Sequence, residues 1–196
     1  MYKLICTALL SLFTGTIHAN NLHYEKLAAN TQTATLHERS DQAASYTEYA
    51  AVADSITWLI NMSRRLEKFI PDPIEREEFL RTVFYEATRA GLDPQLVLSV
   101  IQVESGFKKY AISHAGARGY MQIMPFWIEA IGHRDHNLFH LRVNLRYGCT
   151  ILRHYLNKEK GDYFRALGRY NGSLGEITYP QLVFNKWQTT WRYAAS

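Results

Sequence analysis

One short segment constrains this chain more than any other. Leu92 to Gly106 carries its own helix start and stop. Asp93 suits an N-cap, Pro94 suits the first turn, and Gly106 suits the exit. Val97, Val100 and Ile101 mark an apolar stripe at helical spacing, and Glu104 falls seven residues after Val97 on that stripe. A carboxylate there either turns to solvent at the helix end or is held back from water. In the second case burial and the negative end of the helix dipole both raise its pKa. The result is a general acid that keeps its proton near neutral pH.

The rest of the chain reads as helices. From 44 to 70 the apolar positions follow a helical period through Ile56, Leu59, Ile60, Leu66 and Phe69. Pro71 and Pro73 then break the chain. Further helices are predicted over 73–90, 92–106, about 125–131, 143–156, 163–170 and 180–191. A loop is expected over 106–120. Strand patterns are few, so the expected class is mainly α. The N-terminal helix either packs on the following domain or engages a partner.

Residues 1–19 pair Lys3 with a short apolar stretch, Leu4 to Phe13, and end at Ala19. This reads as a secretory signal peptide, too short to remain as an anchor. Residues 20–43 are polar and without period, which reads as a flexible lead-in. No later run is apolar enough to span a bilayer. Cys6 falls within the signal, which leaves Cys149 alone and without a disulfide partner in the exported chain. Its apolar neighbours favour an inert buried thiol over a catalytic one. The formal charge is +4, modest for a chain that is 20% charged. Such a balance suits a polyanionic partner; no dense basic stripe points to nucleic acid.

Three blocks follow the Glu104 helix in order. They are Gly116-Ala117-Arg118-Gly119-Tyr120-Met121-Gln122-Ile123-Met124-Pro125, then Asn144-Leu145-Arg146-Tyr147-Gly148, then Arg169-Tyr170-Asn171-Gly172. With Glu104-Ser105 they resemble the soluble lytic transglycosylase family over roughly 71–191. That resemblance implies a lysozyme-like helical domain at 71–196, preceded by the additional N-terminal helix of 44–70. It also implies cleavage of the bond between N-acetylmuramic acid and N-acetylglucosamine in peptidoglycan, with 1,6-anhydro ends and no cofactor or metal. Glu104 would be both acid and base, and Tyr170 would lie near it and help orient it.

Ser105 is expected either to bond near Glu104 or to cap the helix end. Ser113 and Asn171 match positions that contact sugar or fix a turn. Gln122 can donate and accept, which suits an acetamido group. Met121 either supplies an apolar wall or fills the core. Gly119 would let the backbone approach a ligand closely. Tyr120 stands where the family has leucine and would add a stacking face or hydroxyl to a sugar groove. Tyr179 is a further aromatic assigned to substrate.

Arg169, Ser173 and His140-Leu141 also depart from the family pattern. A hydrolytic lysozyme on the same fold would need a second carboxylate, with Asp135, Glu129, Glu86 and Glu176 as candidates. A non-catalytic wall-binding module is the third reading. His133, Asp135, His136 and His140 cluster in sequence, but their region fits a surface loop without metal. The expected location is periplasmic or extracellular. Cell-envelope assembly or secretion machinery are partner classes the sequence leaves open.

Overall fold

Aspartates start the helices that matter most. In the computed structural model, which describes residues 46–193 and side chains from Asp54 onward, seven α-helices follow one another. The stretches assigned to a signal peptide and a lead-in lie outside these residues. The helices are α1 (Tyr46–Leu66), α2 (Pro73–Arg89), α3 (Pro94–Ser105), α4 (Phe126–Ile131), α5 (Leu141–Lys158), α6 (Tyr163–Asn171) and α7 (Thr178–Gln188). The Asp72 side chain accepts from the Glu75 amide, Asp93 from Gln95, and Asp162 from Arg165. Each cap satisfies an amide that the first turn would leave orphaned. Among the described residues the only β features are isolated bridges, Ile112 to Arg118 and Arg118 to Ile123. The mainly α expectation therefore holds.

Helix α3 is more deeply buried than an amphipathic stripe implies. Leu96, Val97, Leu98, Ser99, Val100 and Ile101 are all buried in succession. A helix apolar on every side belongs at the centre of a fold, and α3 packs on α2 and α7. Ser99 is tolerated there because its Oγ donates to the Gln95 carbonyl at 2.7 Å. Helix α5 packs on α2 and α6, and α6 on α7. Helix α1 joins the same core through Trp58, Met62 and Leu66.

Helix α5 starts two residues before the expected Val143 and runs two past Leu156. Helix α7 ends at Gln188 rather than near Trp191. Trp191 leaves the helix but stays fully buried. Its indole packs on Phe107, and its Nε1 donates to Gln102 Oε1 at 2.9 Å. A long-range contact outweighs the helical period at that end.

Candidate active site

Glu104 is the penultimate residue of α3, and the chain turns sharply just beyond it. Gly106 and Phe107 are both left-handed, with φ of 57° and 66°. Glycine adopts that conformation freely; phenylalanine pays roughly 1–2 kcal/mol for it. Phe107 holds it because its ring is buried against Phe69, Phe79 and Trp191. The exit of the helix, and with it the position of Glu104, is thus anchored in the core.

The Glu104 carboxyl is partly buried, and Tyr179 Oη donates to its Oε1 at 2.5 Å. Burial pushes its pKa up to about 7, against the opposing effect of the Tyr179 hydrogen bond. Tyr179 is itself buried, and its phenol lies well above the usual range because of desolvation, the nearby Glu104 charge, Tyr170 and the shared hydrogen bond. Tyr179 is therefore a donor in both protonation states of Glu104.

Tyr170 also feels the Glu104 charge, after burial the next largest cause of its raised pKa. Its hydroxyl, however, donates to the Met121 carbonyl at 2.8 Å. The direct hydrogen bond to the acid belongs to Tyr179, which sequence reading assigned to substrate. Tyr170 instead ties α6 to the loop that carries Met121.

That loop is organised from within. Ser105 Oγ donates to the Tyr120 carbonyl at 2.8 Å and to the Ile101 carbonyl at 3.2 Å, so it joins helix end to loop. Ser113 Oγ accepts from the Ala117 amide at 3.1 Å and braces a turn. Gln122, with φ of 50°, donates through Nε2 to the Ala111 and Gly119 carbonyls. The donor half of its amide is thereby engaged, which leaves Oε1 as the group able to meet a ligand.

Three expectations change. Tyr120 is 3% exposed and its ring packs on Phe79, so it faces the core and not a groove. Met121 is fully buried, the core-filling alternative. At Gly119 a Cβ would lie 2.4 Å from Asn144 Nδ2 and 2.6 Å from the Leu138 carbonyl. The glycine makes room for protein, not for a ligand. Asn171 is exposed at the end of α6.

Sequence reading gave Asn144 no role of its own, yet it organises the loop. Fully buried on α5, it accepts from the Met121 amide at 2.8 Å and donates to the Arg118 and Leu138 carbonyls at 2.9 and 2.7 Å. The available clue was an amide beside Leu145 on the buried side of an amphipathic helix, where a polar group must find partners.

Glu86 is wholly buried. Burial raises its pKa, but hydrogen bonds and charges of Arg146 and Arg89 outweigh that and hold it below the usual carboxylate range. Arg142 also reaches it, at 3.4 Å. A carboxylate so engaged is ill placed to activate water. Asp135 pairs with His133 at 3.3 Å in an exposed loop, while His136 Nδ1 lies 2.8 Å from Tyr147 Oη. Cys149 is buried and its thiol is pushed up to about 12, mainly by desolvation.

Comparison with known proteins follows the same residues. Over 52 residues the chain is 40% identical to the membrane-bound lytic murein transglycosylase C of Actinobacillus pleuropneumoniae serotype 5b, a match covering 26% of this chain and 14% of that protein. Over 102 residues it is 30% identical to a transglycosylase of Enterobacteria phage PRD1, covering 52% of this chain and 37% of that one. The chain thus spans well under half the length of either relative. Among solved structures, an inactive mutant of the lytic transglycosylase Slt from Pseudomonas aeruginosa aligns with a TM-score of 0.47 at 20% identity, over 72% of this chain and 27% of that one. The model of the transglycosylase SLT domain matches residues 81–182, from within α2 into α7 and including Glu104, Asn144, Tyr170 and Tyr179, and with more than half of its residues so matched the chain belongs to that family.

Proposed function

We propose that this chain is a peptidoglycan lytic transglycosylase. It cleaves the β-1,4 bond between N-acetylmuramic acid and N-acetylglucosamine without water, with Glu104 as the sole acid and base. The observation that carries this reading is a carboxyl held to about 7 by burial and gripped by a tyrosine hydroxyl that remains protonated.

The proton on Glu104 passes to the glycosidic oxygen as the bond from that oxygen to muramyl C1 breaks and an oxocarbenium-like centre develops. The carboxylate that remains accepts the Tyr179 hydrogen bond, a charge-assisted contact stronger than the neutral one. It then takes the proton from the C6 hydroxyl of the same muramic acid as that oxygen closes on C1. The product is a 1,6-anhydro ring, and Glu104 is again protonated. No second carboxylate is required, which agrees with the engagement of Glu86 by arginines.

The signal-like pattern of residues 1–19 supports export, in keeping with a wall substrate outside the cytoplasm. No described helix is long and apolar enough to cross a membrane. The test is a mass spectrum of soluble products from purified peptidoglycan. Muropeptides ending in 1,6-anhydro-muramic acid are expected. Reducing ends, one water heavier, would make the protein a lysozyme. Co-sedimentation without products would make it a binding module.

A further inference from the structure

Trp58 is 4% exposed, and its indole Nε1 has no hydrogen-bond partner among the described residues. Buried donors are nearly always satisfied, because an unmatched one costs about 1–3 kcal/mol. Trp58 lines a cavity of about 350 Å³ together with Asp54, Phe84, Pro94, Gln95 and Tyr193. That volume lies within the range of small ligand sites, roughly 300–1,000 Å³.

The lining has a definite chemistry. Trp58 and Phe84 form a tilted aromatic pair with centroids 5.2 Å apart. Gln95 lines the cavity and accepts the Tyr193 amide through Oε1 at 2.6 Å, which leaves the N–H groups of its Nε2 as further donors of the lining residues. Asp54 is exposed and adds a carboxylate. Two N–H donors call for a carbonyl. Flat apolar walls call for an aliphatic stem, and the carboxylate calls for a cation at its end. A lysine or arginine side chain has such a stem and head, and the peptide bond beside it supplies the carbonyl.

The position separates this cavity from the chemistry. Gln95 lies in the first turn of α3 and Glu104 in its last, about 14 Å apart along the axis. Asp54, Trp58 and Tyr193 all fall outside residues 81–182, the part matched by the family model. The segments flanking the family domain thus meet here, on the opposite end of the catalytic helix.

We infer that the Trp58 cavity is a docking site for a basic peptide segment of a partner protein, with the backbone carbonyl on Trp58 Nε1 and the cationic side chain on Asp54. This inference does not depend on the proposed reaction.

The test is a titration of the 15N-labelled protein with the peptide acetyl-Ala-Lys-Ala-amide, followed by the Trp58 indole and Gln95 amide resonances. The norleucine analogue, which lacks the ammonium, is the control. Saturable movement of both resonances with the lysine peptide is expected, weakened at least fivefold by norleucine and by Asp54→Asn. Trp58→Phe keeps the aromatic body and removes the donor, so it should weaken binding about tenfold, read on Gln95, while peptidoglycan turnover stays unchanged. Absence of any shift, or equal binding by both peptides, overturns the inference. So does a Trp58 indole that only exchanges magnetisation with a bound water and is unmoved by peptide. A protein that binds the peptide yet releases no muropeptides would refute the proposed reaction and leave the docking site standing.

Discussion

Tyr179 Oη donates to Glu104 Oε1 at 2.5 Å across 75 residues of sequence. The bond joins the ends of two packed helices, α3 and α7, and gives the acid its only direct hydrogen bond among the described residues. Because it favours the carboxylate, it opposes the burial that raises the pKa.

Removing the donor should therefore act in a specific direction. Tyr179→Phe is expected to raise the Glu104 pKa further and to slow turnover about 10- to 100-fold, since hydrogen bonds to charged groups contribute roughly 1.5–3 kcal/mol. The pH profile of kcat/KM should fall on its alkaline side near 7 in the parent and at higher pH in the variant. Tyr170→Phe frees the Met121 carbonyl and should leave that alkaline limb in place. Equal shifts in both variants would contradict the geometry.

Glu104→Gln should abolish turnover while peptidoglycan binding persists, measured by co-sedimentation. It should also stabilise the protein, with a definite pH dependence. The folded pKa of about 7 lies above the ordinary value of 4.5, so between these values the folded state binds more protons than the unfolded one. Stability then falls as pH rises through this window. The variant escapes that loss, on the order of 2–3 kcal/mol above pH 7, with little difference below pH 4. Thermal melts at pH 4 and pH 8 check this; about 5–10 °C of difference at pH 8 is expected.

Asn144→Ala should cost about 2–3 kcal/mol, because it orphans the Met121 amide and the Leu138 carbonyl, while the Arg118 carbonyl keeps the Ile123 amide as a donor. Turnover should fall too, since Met121 is also the anchor for Tyr170. Denaturant unfolding and turnover on the same preparation measure the two effects.

Glu86→Gln leaves the charges of Arg89, Arg142 and Arg146 without their shared carboxylate. A loss of about 3 kcal/mol is expected, at the lower end for a buried pair because the arginines remain partly solvated. The folded pKa is depressed, so this stabilisation is present above the ordinary carboxylate range and disappears as pH falls below it. The parent and variant should converge in stability in acid; a constant difference down to low pH would contradict an ionic role.

Local chemistry was legible in the chain itself. The Asp93-Pro94 start and Gly106 stop define α3, since caps and turn residues act on their nearest neighbours in sequence. Glu104 at the end of an apolar helix marked the candidate acid, and the four ordered blocks carried the resemblance to the family. Partners of side chains required the tertiary structure. Nothing in the sequence around Tyr179 says that its hydroxyl meets Glu104, because that contact depends on how α7 lies along α3. The same holds for Asn144, two of whose three bonds reach a loop 23 and 26 residues earlier. Tyr120 carries the same side chain on a surface or in a core; only its packing on Phe79 made it core. Helical period and capping are decided over one or two turns, whereas burial and pairing are decided by which helices the fold brings together.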